Sequence, residues 1–249
     1  MARILEVCID SLASARAAIR GGADRLELCS ALDLGGLTPY TALLHQIREE
    51  SNIPVRCLMR PRSGDFLYSK DEISMTVRQI RELKAAGADG FVIGCLTQDG
   101  NLDAEAMKVL IDAADGSGLT LHRCIDVSRN VTETCQKAAG LGIDTVLTSG
   151  AAPNCLAGLE TIRNLLKLRD TAGGPEVLIG AGVNPNNIHK LLSALPDATA
   201  FHASCKSLRE SNMVFRRADI PMGLPGLDEW HIHQTDENAV RAIKKALNT

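Results

Sequence analysis

Gly22-Ala23-Asp24-Arg25-Leu26-Glu27-Leu28-Cys29 is the stretch on which the fold turns. Its glycine suits the left-handed position that closes a helix, and the residues from Asp24 to Cys29 read as a strand. The same join returns at Gly87-Ala88-Asp89 and Gly142-Ile143-Asp144, each ending an Ala- or Leu-rich helical run and opening another strand. On either side of these joins, strand cores fall near residues 3–8, 24–29, 54–60, 90–94, 119–123, 145–148, 176–181 and 200–203. Helical patterns fill the gaps, among them Ser11 to Arg20, Thr76 to Ala86, Ala104 to Ala114, Thr132 to Leu141, Leu156 to Asp170 and Asn187 to Leu195. Ser69 and Glu72 have capping-box spacing at the start of a helix. Eight β–α units of roughly 30 residues predict an α/β fold, a (β/α)8 TIM-type barrel built as a single domain.

The barrel is expected over about residues 3–204, followed by a loop-rich tail over 205–249 with Pro221, Gly223, Pro225 and Gly226. That tail ends in an amphipathic helix from about Asp236 to Leu247. An open doubly wound sheet alternates strands and helices too, but its switch point makes the units irregular, and these are near equal. Gly180-Ala181-Gly182 is a poor dinucleotide fingerprint, because Pro185 stands where the third glycine belongs.

The chain has 249 residues, 45% of them hydrophobic and only 3% aromatic, so its core must be Ala, Leu, Ile and Val. A formal net charge of −3 argues against a nucleic-acid groove or an anionic membrane surface, which leave a basic excess. No window approaches the roughly 20 apolar residues of a membrane span. Eight cysteines are scattered singly without a C-x-x-C pair, and the start of the chain lacks the pattern of a signal peptide. They read as thiols of a protein in a reducing, cytoplasmic compartment.

In such barrels the working residues lie at the carboxyl ends of the strands. The phrase Leu5-Glu6-Val7-Cys8 recurs as Leu26-Glu27-Leu28-Cys29. Alternation puts Glu6, Cys8, Glu27 and Cys29 on the inward face and the aliphatic residues on the helix face. Adjacent strands run about 4.8 Å apart, close enough for Cys8 and Cys29 to share a soft ion, although barrel stagger can shift their layers. Two thiolates without metal-spaced histidines suit exchangeable Cu(I) before Zn(II) or Fe(II).

A second signal is the loop Arg60-Pro61-Arg62-Ser63-Gly64-Asp65-Phe66, whose guanidinium forks suit a carboxylate or phosphate. The anion pocket is expected to involve Arg60, Arg62, Asp65, Arg123, Thr148, Ser149, Gly180, Gly182 and His202. Glu6, Glu27, His122 and Asp126 are the acid–base candidates if a reaction occurs. The competing structural reading is that an inward Glu neutralises Arg25 or Arg123, and that His122 and His202 are satisfied core histidines.

Glu6-Val7-Cys8, Gly22-Ala23-Asp24-Arg25, Glu27-Leu28-Cys29-Ser30, Gly35-Gly36-Leu37-Thr38-Pro39, Arg60-Pro61-Arg62, Gly64-Asp65-Phe66, His122-Arg123, Leu147-Thr148-Ser149-Gly150 and Phe201-His202 form an ordered set. That set resembles the CutC family of copper homeostasis proteins over residues 3–215. The resemblance implies a cytoplasmic TIM-type barrel, a homo-oligomer, associated with copper handling and with no settled reaction. It places Cys8 and Cys29 on the family's cysteine positions and implies a Cu(I) site there. Ser63, Tyr40, Leu121 and Ile125 depart from the pattern, and none belongs to the ionic set. The leading expectation is copper binding or buffering at the barrel mouth. The alternatives are an enzyme acting on a small anionic, for instance phosphorylated, metabolite, and a scaffold that works in assembly through its apolar tail from Pro221 to Trp230.

Overall fold

A computed structural model describes residues 3–217, 219–220 and 229–249. Eight parallel strands close into a barrel in chain order: β1 (Ile4–Ile9), β2 (Arg25–Leu28), β3 (Val55–Leu58), β4 (Gly90–Ile93), β5 (Gly118–Leu121), β6 (Thr145–Thr148), β7 (Glu176–Ile179) and β8 (Ala200–Ala203), with β8 pairing back onto β1. Helices α1 (Leu12–Gly21), α2 (Thr41–Glu50), α3 (Lys70–Ala85), α4 (Ala104–Ala114), α5 (Val131–Gly140), α6 (Leu159–Ala172) and α7 (Ile188–Ala194) connect them. The expected (β/α)8 architecture is therefore the observed one. The alternative open sheet is excluded by closure.

The three glycine joins explain how the strands begin. Gly22, Gly87 and Gly142 have φ of 92°, 97° and 82°. At each, the glycine and the next residue donate back to carbonyls of the last helical turn, as in Gly22 N–H to Ile19 and Ala23 N–H to Ala18. The aspartate that follows then stitches the barrel floor. Asp24 Oδ2 accepts the Leu5 N–H at 2.7 Å, Asp89 Oδ2 the Val55 N–H at 2.7 Å and Asp144 Oδ2 the Leu119 N–H at 2.6 Å. Each aspartate also meets a cation, Lys244, Arg48 and Arg56 respectively. Ser69 and Glu72 do form the capping box of α3.

Leu5, Val7, Leu26, Leu28, Val55, Phe91, Ile93, Leu121, Val146, Val177 and Phe201 face the helices in one continuous apolar cluster. The inward face is polar at both ends. On the floor, Arg56 bonds Thr120 Oγ1 at 2.6 Å and Thr145 Oγ1 at 3.1 Å. Gly118 makes room for it, since a Cβ there would lie 2.8 Å from Arg56 Nη2. All eight cysteines are buried and unpaired.

The tail differs from the loop expected of it. β9 (Lys206–Glu210) and β10 (His231–Thr235) form an antiparallel two-stranded sheet outside the barrel, and α8 (Glu237–Leu247) packs back against α1, β1 and α7. The anchor is polar: Asp33 lies 2.8 Å from His233 Nδ1 and 3.6 Å from Lys206 Nζ. Pro221, Gly223, Pro225 and Gly226 lie outside the described residues.

Candidate functional site at the carboxyl end of the barrel

Alternation along β1 aims Glu6 and Cys8 inward, as the leucines beside them require, but the barrel stagger changes who faces whom. Cys8 is level with Glu27, and Glu6 is level with Arg25 on one side and His202 on the other. Cys29 sits one step past the end of β2, its N–H bonded to Ile9 O. The two thiols are thus offset by one layer rather than side by side.

At the bottom of the site Glu6 is fully buried. Its Oε2 accepts from Arg25 Nε and its Oε1 lies 2.8 Å from His202 Nδ1. Burial alone would raise this carboxyl, but the hydrogen bond from His202 and the charge of Arg25 outweigh it and bring the pKa down to about 2. The expectation that an inward glutamate neutralises Arg25 is met here. His202 is correspondingly shifted far above its usual value: burial opposes the charged ring, and Cys8, Glu27 and Glu6 around it favour the imidazolium.

One layer higher, Cys8 Sγ, a Glu27 carboxylate oxygen and a His202 ring nitrogen all lie within 4.8 Å of one another, and all three residues are buried. His202 Nε2 is 3.7 Å from Glu27 Oε2. Burial is the main reason that Glu27 titrates above the usual carboxylate range, with His202 opposing and Glu6 adding to the rise. Cys29 completes the surroundings by donating to Glu27 Oε2 at 3.4 Å, and burial followed by the Glu27 charge pushes its thiol up strongly.

Above this layer opens a cavity of about 430 Å³, lined by Cys8, Glu27 and His202 on one side and by Arg60, Phe66, His122 and Arg123 on the other. The residues expected to hold an anion divide. Arg60, Arg123, Gly182 and His202 line the cavity, whereas Arg62, Asp65, Thr148, Ser149 and Gly180 do not. Arg62 turns away to Glu72 Oε1 at 2.6 Å and to Asp65 Oδ1 at 2.8 Å, which ties its loop to the start of α3. Asp126 is enclosed, accepting from Thr148 Oγ1, from the backbone of Ser149 and Ala151, and from Arg123 Nε at 2.7 Å. Gly180 stands behind Leu147 and His202.

Reading from sequence missed Lys206, which lines the cavity, because it falls in the supposed loop. It also missed Arg56, whose inward direction was readable from alternation along β3. Phe66 was visible only as a motif letter, yet its ring packs 4.8 Å from that of His122.

A sequence model of the CutC family matches residues 3–207. The family protein CutC of Vibrio campbellii is 38% identical over 246 residues, covering 98% of each chain. The human copper homeostasis protein cutC homolog is 39% identical over 241 residues, covering 96% of this chain and 87% of that one. The crystal structure of a copper homeostasis protein CutC from Streptococcus agalactiae superposes with a TM-score of 0.76 at 24% identity, over 81% of this chain and 98% of that one, and so shares the fold.

Proposed function

The chain belongs to the CutC family, and from that premise we propose that it binds and buffers Cu(I) through thiolate ligation at the mouth of its barrel. The observation that carries this reading is the buried trio of Cys8, Glu27 and His202 donors within 4.8 Å of one another. Two donors about 2.0–2.3 Å from one ion lie at most about 4.6 Å apart, so a small contraction brings all three onto a metal. Thiolate and imidazole are the soft and intermediate donors that Cu(I) selects, and Glu27 is the weakest of the set for it. Cys29, bonded to Glu27, is the next donor in reach and completes a two-thiolate site when it shifts by one layer.

His202 is pre-oriented for the role. Glu6 faces Nδ1 at 2.8 Å and leaves Nε2 for the ion, the arrangement in which a carboxylate steers a metal-bound imidazole. Binding displaces protons from the imidazolium and the thiols, so affinity rises with pH. The cytoplasm is the fitting compartment, since eight unpaired thiols persist where glutathione keeps them reduced. Among the described residues no helix is long and apolar enough to cross a membrane. Assembly of several copies belongs to the same reading, supported by exposed apolar residues on and after β9.

Competition of the protein against a Cu(I) chelator tests the site. Cys8→Ser is expected to weaken binding most, Cys29→Ser less, and the double variant to abolish competition. A double variant with native affinity would sink the proposal.

A further inference from the structure

Across the barrel from Cys8, a buried hydrogen-bond donor on a residue that lines the cavity has no protein acceptor among the described residues. β5 lies opposite β1 in the eight-strand order, and His122, just after β5, is 4% exposed. Its Nδ1 accepts the Cys124 N–H at 3.2 Å, which assigns the ring proton to Nε2. Nε2 has no hydrogen-bond partner among the described residues. Burial, reinforced by the charge of Arg60, lowers this histidine to about 3, so the ring is neutral and Nε2–H is a fixed donor at physiological pH.

Arg60 supplies a charge beside it. Its terminal nitrogens donate to the carbonyls of Leu34, Gly36 and Gly64, and its buried Nε has no partner among the described residues. No carboxylate among those residues pairs with it. The guanidinium carbon lies 5.4 Å from the centre of the Phe66 ring, and Phe66 packs on His122, so cation and donor are held on one wall. The other cations of the cavity are already matched, Arg123 by Asp126, Lys206 by Asp33 and His202 by Glu6.

A neutral N–H and one unmatched positive charge are what an oxyanion requires. One unmatched cation balances a monoanion better than a phosphate dianion. Leu32, Leu34, Leu58, Leu147 and Val183 line much of the remaining surface, which calls for an apolar body. The cavity falls in the range of small-molecule sites, roughly 300–1,000 Å³. We propose that it binds a small organic carboxylate with an apolar body, one carboxylate oxygen accepting from His122 Nε2–H beside the Arg60 guanidinium. His122 follows β5, across the barrel from β1, and the proposal does not rest on the copper reading.

Calorimetric titration of the metal-free protein with isovalerate, followed in parallel by imidazole nitrogen NMR, tests it. Isovalerate is expected to bind saturably, to move the His122 Nε2 signal, and to bind more tightly than acetate, isovaleramide or inorganic phosphate. Loss of a hydrogen bond to a charged group predicts that His122→Phe weakens binding roughly tenfold or more. An unmoved His122 signal in the native protein, equal binding by His122→Phe, or tighter binding of phosphate would each overturn the assignment.

Discussion

Glu6 shows how one buried carboxylate organises a site. Its pKa falls from 4.5 to about 2 although burial pushes the other way, because His202 and Arg25 surround it. A depressed carboxylate contributes stability that is present above its unfolded pKa and is lost as pH falls through the folded value, here between about 4.5 and 2. The shift corresponds to about 3 kcal/mol. His202 acts with the opposite sign: its pKa is raised, so its contribution is complete below about 6.5 and fades as pH climbs toward the higher folded value. Glu27, raised chiefly by burial, acts in the same sense, its contribution complete below the ordinary carboxylate range and fading as pH rises toward its higher folded value. Glu6→Gln leaves Arg25 without its counter-charge and His202 with Glu27 alone, and a broken buried pair costs about 3–5 kcal/mol. Scanning calorimetry across pH is expected to show a lower Tm for this variant at neutral pH and a flatter acid limb, with the two proteins converging near pH 2. Parallel acid limbs would remove Glu6 from this role. The inward direction of Glu6, Cys8, Glu27 and His202 was legible in the sequence, since alternation beside buried leucines fixes it. Which of two arginines two positions apart enters the cavity was not, because Arg60 and Arg62 differ only in how their loop turns.

Among the helices and strands, the Gly-x-Asp joins were the most legible feature, since a left-handed glycine followed by an aspartate has a local physical meaning wherever it stands. The joins also predict opposite signs for two neighbouring substitutions at the end of α5. Gly142 has φ of +82°, and a Cβ added there would meet nothing within 4 Å, so Gly142→Ala meets only backbone strain. It is expected to cost about 1–2 kcal/mol, with a Tm lower by roughly 2–4 °C per kcal/mol. Gly140, two residues earlier, is helical and equally uncrowded. Gly140→Ala is expected to raise stability by about 0.5 kcal/mol, because glycine is the poorer helix former. Thermal unfolding of both variants checks the pair, and a shift of the same sign in both would contradict the assigned turn. β9 escaped sequence reading for a physical reason: all of its residues are exposed, so it has no buried face and no alternation to detect. The apolar tail from Pro221 to Trp230 lies mostly outside the described residues.

Once the barrel is assembled, closure decides what local patterns cannot. Two identical Glu-x-Cys phrases on neighbouring strands look like a level pair of thiols until the barrel staggers them, and only then does His202, from the far end of the chain, enter between Cys8 and Glu27. The same architecture leaves the β9–β10 sheet outside the barrel, held to α1 by Thr235 N–H donating to Ser14 Oγ at 3.1 Å, with no further strand on either edge among the described residues. β9 carries Leu208 and is followed by Met213, Val214 and Phe215, with Val214 98% and Phe215 74% exposed. Since the barrel core is complete without these side chains, their exposure is best relieved by a second copy meeting the hairpin, beside the pocket rim that Asp33 ties to His233. Light scattering of the native protein is expected to give a multiple of the 26.6 kDa chain mass. Leu208→Glu combined with Phe215→Glu is expected to reduce it to a single chain without unfolding the barrel, because neither residue belongs to the core. A monomeric native protein, or a variant that keeps the native mass, would show that the hairpin is not an assembly surface.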